Sequence, residues 1–341
     1  MNNTPKILLI YTGGTIGMIK DFETGTLKAF DFDQLLEHIP ELRLLGCQIE
    51  TASFDKPIDS SNMRPEYWLQ ICNFVKEGYT KYDGFVVLHG SDTMSYTASA
   101  LSFMLEHLSK PVIFTGSQLP IGDLRTDAKE NLITAIQIAA LQEEGQPVIQ
   151  EVCLYFEYIL YRANRTTKIS AEQFKAFSSP NYPPLLESGV HLSINKEALM
   201  PRSTGGLIVR DKFITQVLLL KLFPGMNPSL IECMLHSKII KGIIIETFGA
   251  GNSTMATWFI SLLQNFIQQG IPVVNVTQCN SGAVQMGNYE TSVSLKDIGV
   301  ISGKDITTEA ALAKMMYLLG LDLDSANFKK YFETSLRGEI T

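Results

Sequence analysis

The sequence predicts an α/β protein of two doubly wound domains, a larger N-terminal domain with a mainly parallel sheet and a smaller C-terminal domain. Its 341 residues exceed what one hydrophobic core usually organises. Short apolar runs alternate with longer segments of helical periodicity, which is typical of a parallel sheet covered by helices. The alternation stops once, in a stretch rich in Pro, Ser and Gly, and then resumes. These observations together indicate two successive α/β domains.

The predicted N-terminal domain contains strand-like runs with helical segments between them. The strands are KILLIY (6–11), IETASF (49–54), GFVVLH (84–89), PVIFTG (111–116) and EVCLYF (151–156). The helices are DQLLEHI (33–39), PEYWLQICNFVKEGY (65–79), TMSYTASALSFMLEHL (93–108) and ENLITAIQIAALQ (130–142). The second helix carries Pro65 in its first turn, where the missing N–H costs no hydrogen bond.

The predicted C-terminal domain follows a segment that includes SSPNYPPLLESG and MPRSTGG. A second alternation begins with VLLLKLF, PSLIECML and GIIIETFG and ends with the helices TEAALAKMMYLLG and SANFKKYFETSL. We therefore assign residues 1–195 to the N-terminal domain, 196–214 to a linker and 215–341 to the C-terminal domain.

Composition and charge exclude several classes of protein. Apolar residues make up 45% of the chain and the net charge is −7, without a basic cluster that could bind nucleic acid. The longest apolar runs are strand-sized, so no membrane partner is expected. The N-terminal segment MNNTPKILLIY lacks the basic flank and cleavage site of a signal peptide. A cytoplasmic protein with a small-molecule substrate is therefore expected.

Cysteine and histidine usage predicts neither a metal site nor a disulfide framework. The five cysteines are widely spaced and contain no C-x-x-C pair. The five histidines form neither H-E-x-x-H nor a pair at metal-binding spacing. We expect reduced core thiols, and no metal or other cofactor.

Hydroxyl and charged residues follow each predicted N-terminal strand. In chain order the segments are YTGGTIG, DSSNM, HGSDT, TGSQ and YRANRTTK. Ligands of an open parallel sheet bind beyond the carboxyl ends of its strands, so these five loops would bring hydroxyls, one carboxylate and one ammonium to one edge. A hydroxyl nucleophile needs a base, and a lysine serves as one when its surroundings favour the neutral amine. Such a set is competent for acyl transfer.

Each of these residues also has an ordinary structural interpretation. Thr12 and Thr15 could cap a turn or a helix beside their glycines. Asp92 could be the N-cap of the helix that follows it, and Lys168 could be an exposed charge. The serines after the second and fourth strands could be loop hydroxyls that bind backbone. Convergence of all five loops favours the functional interpretation.

Seven short motifs stand in order along the chain: TGGTIG (12–17), DSSNM (59–63), LHGSDTM (88–94), TGSQ (115–118), RTTK (165–168), TFGAGN (247–252) and LRGEI (336–340). In this order they resemble the bacterial-type L-asparaginases, most closely the cytoplasmic type I enzymes, over nearly the whole chain. The resemblance implies hydrolysis of L-asparagine to L-aspartate and ammonia without metal or organic cofactor. It also implies a homodimer or homotetramer, with L-glutamine as a weak second substrate.

The resemblance also implies roles for individual residues. Thr15 would be the nucleophile that forms a covalent acyl-enzyme intermediate, with Ser91, Asp92 and Lys168 as the second catalytic set. The implied substrate-binding residues are Gly14, Ser60, Ser61, Gly90 and Ser117. The two serines of DSSNM would hold the substrate α-carboxylate, Asp92 would hold the α-amino group, and the serine of TGSQ would line the amide side of the pocket.

Three departures from the family pattern are visible. Ser91 stands where the family usually has threonine, which keeps the hydroxyl and removes a methyl group. The segment DFETGTLKAF (21–30) has Thr26 and no tyrosine, although a tyrosine usually follows the nucleophile there. The proton transfers are therefore expected to depend on Lys168. Glu246 replaces an arginine that helps to form a regulatory asparagine site in some type I enzymes, so allosteric regulation is not expected.

Four other functions compete with this interpretation. A glutaminase differs by one methylene in the pocket, which changes discrimination by only about 1–3 kcal/mol. A subunit of a tRNA-dependent amidotransferase would be expected to show an extra domain or a basic surface. A silent amino-acid sensor would keep the pocket without turnover. A dinucleotide-dependent dehydrogenase is disfavoured because Gly13, Gly14 and Gly17 do not have the G-x-G-x-x-G spacing.

Overall fold

The structure is a computed structural model that describes residues 4–20, 27–29, 39–235, 239–287 and 290–341. It separates the chain into two compact units, Met1–Asp211 and Lys212–Thr341. Each unit contains its own sheet and helices, which confirms the predicted α/β fold class. No helix in these described ranges is long and apolar enough to cross a lipid bilayer.

Among the described residues, the first unit is built around an eight-stranded sheet. Its strands are β1 (Lys6–Gly13), β2 (Gln48–Ile58), β3 (Gly84–Leu88), β4 (Val112–Thr115), β5 (Val152–Phe156), β6 (Ile159–Arg162), β7 (Leu186–Ser188) and β8 (Leu192–Ile194). They lie in the order β8-β7-β6-β5-β4-β3-β1-β2. The five neighbouring strands β5, β4, β3, β1 and β2 are parallel. Strands β6, β7 and β8 extend the sheet in antiparallel pairing. The parallel part therefore presents five carboxyl ends at one edge.

Helices cover the parallel part of this sheet. Those described in the first unit are α1 (Pro65–Gly78), α2 (Met94–Met104) and α3 (Ala128–Ala139). Every residue of β3, β4 and β5 is buried, as expected for parallel strands covered on both faces. Leu9 and Val86 share one core cluster with Leu132 and Ile136 of α3. This core fixes the strand ends that carry the polar loops.

The antiparallel strand β6 was not predicted, and it changes the origin of one loop. The chain reverses between β5 and β6 through Glu157 and Tyr158, whose φ angles are 45° and 68°. Two-residue hairpin turns of this kind usually contain Asn or Gly, so this sequence carries no turn signal. Lys168 follows β6, and the expectation that its loop comes directly after the fifth predicted strand is wrong.

Two predicted helices need comment. The helix expected over 93–108 ends at Met104, because Leu105–Glu106 pairs in antiparallel fashion with Ile208–Val209. The helix expected over 33–39 lies almost wholly outside the described residues, as does most of the segment 21–30, including Thr26.

As far as the described residues extend, the second unit contains a four-stranded parallel sheet. Its strands are β9 (Val217–Lys221), β10 (Gly242–Thr247), β11 (Val273–Thr277) and β12 (Ile301–Ser302), in that order. Its helices are α4 (Pro228–Leu235), α5 (Thr257–Gln268), α6 (Glu290–Asp297), α7 (Thr308–Gly320) and α8 (Ser325–Phe332). Ile243 and Ile245 of β10 pack with Phe259 and Leu263 of α5 in its core.

The C-terminal segment LRGEI closes around a buried lysine of α7. The Lys314 side chain is fully buried, and its Nζ donates to the carbonyl oxygens of Phe332 and Thr334, each at 2.7 Å. The same ammonium forms an ion pair with Glu339, which is also fully buried. Burial lowers the pKa of Lys314, while the Glu339 carboxylate opposes that shift. The pair joins α7 to the end of the chain.

The expectation that all cysteines are core thiols is only partly correct. All five are free thiols, and Cys72 and Cys153 are buried as expected. Cys47 is half-buried, whereas Cys233 and Cys279 are exposed. The sequence shows no difference between these positions because exposure depends on how α4 and the loop after β11 pack.

Breaking the buried ion pair should destabilise the second unit strongly. Lys314→Met leaves the Glu339 carboxylate buried without its counter-ion, which should lower the free energy of unfolding by about 3–5 kcal/mol. Adding Glu339→Gln removes that uncompensated charge and should restore part of the loss. Urea unfolding followed by circular dichroism measures both effects.

Lys212→Met is the matched control, because the Lys212–Asp322 pair has the same chemistry with side chains 56% and 80% exposed. It should leave the urea midpoint almost unchanged. Equal losses at both lysines would contradict the assigned role of burial.

Candidate active site

Two glycines at the end of β1 allow three strand ends to meet. Gly13 and Gly14 have φ angles of 126° and 87°, in the region that favours glycine. A Cβ on Gly13 would lie 2.1 Å from the carbonyl oxygen of Ile58, at the end of β2. A Cβ on Gly14 would lie 2.5 Å from the backbone nitrogen of Gly90, in the loop after β3. Only glycine permits this backbone contact.

The loop after β2 completes the contact. A Cβ on Gly90 would lie 2.5 Å from Ser60 Oγ, and the Ser60 side chain is buried. Thr93 Oγ1 donates a hydrogen bond of 2.8 Å to the carbonyl oxygen of Ser60, which ties the two loops together. Gly14, Ser60 and Gly90 are therefore brought together as the sequence predicts.

Thr15 begins a single 3₁₀ turn, Thr15–Gly17, directly after the glycine pair. The turn is held by a hydrogen bond of 3.3 Å from Gly17 N to Gly14 O and by one of 3.1 Å from Tyr11 Oη to Gly17 O. Thr15 itself is half-buried. Its neighbour Thr12 has a structural contact instead, since Thr12 Oγ1 donates to Leu88 O at 2.9 Å.

Lys168 contacts two polar residues of the loop after β3, Ser91 and Asp92. Its Nζ lies 2.8 Å from Ser91 Oγ and 2.7 Å from Asp92 Oδ1. The Lys168 side chain is only 18% exposed, whereas that of Asp92 is 66% exposed. The interpretation of Lys168 as an exposed charge is therefore wrong. Within the described part of the chain, no hydrogen bond joins Thr15 to this set.

Asp92 does not cap the helix that follows it. Thr93 occupies the N-cap position of α2, and no side chain caps that helix end. The Asp92 carboxylate instead accepts from Lys168.

Gln118, the last residue of the TGSQ motif, contacts this set although no role is predicted for it from the sequence. Ser91 Oγ donates to Gln118 Oε1 at 3.2 Å. Gln118 Nε2 donates to the carbonyl oxygen of Gln173 at 3.0 Å. The signal in the sequence is a polar residue after the fourth parallel strand, next to the hydroxyl of Ser117.

Two of the predicted serines form contacts within their own loops. Ser61 Oγ and N donate to Asp59 Oδ1 at 2.7 and 2.8 Å, and these bonds lower the pKa of Asp59. Ser117 is buried, and its Oγ donates to Leu119 O at 2.6 Å. Ser61 is exposed at the surface of its loop.

Two family models match most of the chain. Residues 6–200 match the family model of the asparaginase N-terminal domain, and residues 216–332 match that of the glutaminase/asparaginase C-terminal domain. The chain belongs to the asparaginase family. This confirms the resemblance found in the motifs.

Three relatives show the range of this family. Escherichia coli K12 L-asparaginase 1 is 43% identical over 336 residues, which cover 98% of each chain. The crystal structure of L-asparaginase I from Vibrio cholerae has a TM-score of 0.90 at 40% identity, covering 99% of this chain and 100% of that one. The mouse 60 kDa lysophospholipase is 40% identical over 98% of this chain and 62% of its own length.

Glu246 is held by contacts within the second unit of this asparaginase-family chain. Thr308 Oγ1 donates to Glu246 Oε1 at 2.6 Å, and Lys221 Nζ lies 3.6 Å from Oε2. The side chain of Glu246 is only 12% exposed. Across the described residues, no group of three or more His, Cys, Asp or Glu side chains is arranged to hold a metal ion.

A buried histidine, His89, forms a hydrogen bond to the backbone of the Gly90 loop. His89 is fully buried, and its Nδ1 lies 2.7 Å from Gly90 O. A carbonyl oxygen can only accept, so Nδ1 carries the proton and Nε2 accepts from Thr97 Oγ1 at 3.0 Å. Burial lowers the pKa of His89 to about 4, while the Gly90 carbonyl opposes the shift.

This buried histidine predicts a loss of stability in acid. The unfolded chain takes up a proton near pH 6.5, whereas the folded chain excludes it until about pH 4. Stability is therefore fully present above the higher value and is lost as the pH falls through this window, by about 3 kcal/mol in total. The measurement is the difference in free energy of unfolding between the wild type and His89→Gln from pH 7 to pH 4.

The wild type should lose its advantage over His89→Gln as the pH falls. His191→Gln, at an exposed histidine, is the matched control. A wild-type advantage that does not change with pH would show that His89 is not held neutral by its site.

Proposed function

We propose that this protein hydrolyses L-asparagine to L-aspartate and ammonia. The observation that carries the proposal is the hydroxyl, carboxylate and ammonium set of Ser91, Asp92 and Lys168, next to the Gly14–Gly90 contact. It occurs in a chain that is 43% identical to E. coli L-asparaginase 1 over nearly the full length of both.

Thr15 is the proposed nucleophile. It follows the glycine pair at the carboxyl end of a central strand, where a substrate of a parallel sheet binds. Its Oγ forms a bond to the side-chain amide carbon, and the C–N bond then breaks and releases ammonia. Water hydrolyses the resulting ester, which releases L-aspartate and regenerates the Thr15 hydroxyl.

Lys168 and Ser91 are the proposed proton carriers. Once its ammonium has given up a proton, Lys168 takes the proton of the attacking hydroxyl, and the ammonium formed in this way gives a proton to the leaving ammonia. Ser91 lies 2.8 Å from Lys168 Nζ, within reach for such a transfer. The Asp92 carboxylate holds the lysine in place at 2.7 Å.

Substrate binding is assigned to groups around the same contact. Asp92 is two-thirds exposed, which leaves its carboxylate accessible to the α-ammonium of the substrate. Ser60 and Ser61 are proposed to bind the α-carboxylate, and Ser117 to line the amide side. The backbones of Gly14 and Gly90 let the substrate approach closely.

Assembly, location and domain limits are proposals of the same kind. A homodimer or homotetramer in the cytoplasm, with domains at 1–195 and 215–341 joined by a linker, fits the sequence interpretation.

Removing the Thr15 hydroxyl tests the nucleophile directly. Thr15→Ala should lower kcat for L-asparagine by at least about a thousandfold, because covalent catalysis is lost, while the substrate still binds. Ammonia release in metal-free buffer measures turnover, and calorimetric titration measures binding. L-glutamine assayed in parallel gives the ratio of the two amidase activities.

Thr80→Ala, at an exposed threonine after α1, is the matched control and should keep full activity. Retention of more than a tenth of wild-type turnover by Thr15→Ala would remove Thr15 from the role. Binding of L-asparagine by the wild type without ammonia release would favour the silent sensor.

The proton carriers should behave as one unit. Lys168→Met and Ser91→Ala should each lower kcat by about 10²–10⁴, since positioned acid–base groups contribute that much. The double mutant should lose far less than the product of the single losses. Ser91→Thr keeps the hydroxyl and should be nearly neutral.

Lys129→Met, at an exposed lysine of α3, is the control for the lysine substitution. Strictly multiplicative losses in the double mutant would show that Ser91 and Lys168 act separately.

A further inference from the structure

The amide of Gln118 lies between Ser91 and the segment that follows Lys168. Ser91 Oγ is 3.2 Å from Gln118 Oε1, and Gln118 Nε2 is 3.0 Å from the carbonyl oxygen of Gln173. Gln173 belongs to the loop between the paired strands Thr167–Lys168 and Phe177–Ser178. The Gln118 side chain therefore contacts both the Ser91 hydroxyl and the loop that follows Lys168.

The contacts determine which way this amide points. A backbone carbonyl only accepts hydrogen bonds, so the NH₂ group of Gln118 must face Gln173 O. The carbonyl oxygen of the amide then faces Ser91, and it too can only accept. The single hydroxyl proton of Ser91 is consequently directed to Gln118.

That direction leaves the oxygen of Ser91 facing Lys168 as an acceptor. A serine hydroxyl has one proton and two lone pairs. With the proton on the Gln118 side, a lone pair receives the N–H of Lys168 at 2.8 Å. The hydrogen bonds thus run in one sense, from Lys168 through Ser91 and Gln118.

The backbone of Gln118 is itself fixed. Gln118 N donates to both carboxylate oxygens of Asp127, at 3.1 and 2.9 Å. Leu119 N donates to the same carboxylate at 3.1 Å, and Asn131 Nδ2 donates to it at 3.2 Å. Asp127 precedes α3, which packs on the core of the sheet. These hydrogen bonds hold the backbone from which the Gln118 side chain extends.

A serine needs such support more than a threonine does. Ser91 has no second substituent on Cβ, so its χ1 angle is less restricted than that of a β-branched residue. We infer that Gln118 is a positioning residue that holds the Ser91 hydroxyl in the rotamer and orientation in which it accepts from Lys168. This inference rests on the proposed function, in which Ser91 and Lys168 move the protons.

Gln118→Met tests the inference, because methionine matches the length of glutamine and lacks the polar head. We expect kcat for L-asparagine to fall by about tenfold to a hundredfold with KM changed less than about threefold, since Gln118 acts through Ser91. Gln118→Glu keeps an oxygen that can accept from Ser91 but loses the donor to Gln173 O, so it should retain more activity than Gln118→Met.

The decisive measurement repeats Gln118→Met in two other backgrounds. In Ser91→Ala the hydroxyl is absent, so Gln118→Met should cause no further loss. In Ser91→Thr the added methyl group restricts χ1, so Gln118→Met should cost less than about threefold. An equal loss in all three backgrounds would overturn the inference, as would a large rise in KM with unchanged kcat.

Two controls separate this result from loss of structure and from failure of the proposed function. Gln137→Met makes the same change at an exposed position of α3 and should be silent. The Tm of Gln118→Met should stay within a few degrees of wild type. If the wild type does not hydrolyse L-asparagine, the proposed function fails. If Lys168→Met abolishes turnover and Gln118→Met does not lower it, only the role of Gln118 fails.

Discussion

The backbone contact between Gly14 and Gly90 organises the site. A side chain at either position would overlap the opposing loop, because a Cβ on Gly14 would lie 2.5 Å from Gly90 N and one on Gly90 would lie 2.5 Å from Ser60 Oγ. The contact brings the ends of three parallel strands within van der Waals distance. Thr15 directly follows Gly14, Ser91 directly follows Gly90, and Ser60 lies against Gly90, so the positions of these three residues depend on this contact and on the buried strands β1 and β3 that lead into it.

Lys314 and Lys168 differ in burial and in how many of their ammonium N–H donors are used within the protein. The ammonium of Lys314 is fully buried, and its three N–H donors meet two carbonyl oxygens and the carboxylate of Glu339. The described contacts of Lys168 use two donors, to Ser91 and Asp92, and its side chain is partly exposed at the edge of the sheet. Lys168 therefore has capacity for a reacting group, whereas Lys314 holds the C-terminus in place.

Much of the fold and part of the site could be predicted because the signals are local. Residues 7–11 of β1, 85–88 of β3 and 112–114 of β4 are continuous buried apolar runs, and the glycine pair at the end of β1 indicates a turn or a close approach of backbones. The turn at Glu157 and Tyr158 was missed because neither residue type is usual at positive φ. Cys233 and Cys279 were wrongly expected in the core, because an isolated apolar residue does not reveal which face of its element is covered.

The sequence by itself determined the alternation of strands and helices, the family, and the residue types that follow each parallel strand, since these depend on periodicity and on motifs of a few residues. Only the tertiary structure decided which of those residues touch. Lys168 contacts Ser91 and Asp92, which lie 77 and 76 positions earlier in the chain. It lies on the short strand Thr167–Lys168, which pairs with Phe177–Ser178, and no local sequence pattern predicts this pairing. The contact of Gln118 with Ser91 also joins residues that are distant in the sequence. Contacts between side chains distant in sequence depend on the order of strands in the sheet, which hydrophobic periodicity does not encode.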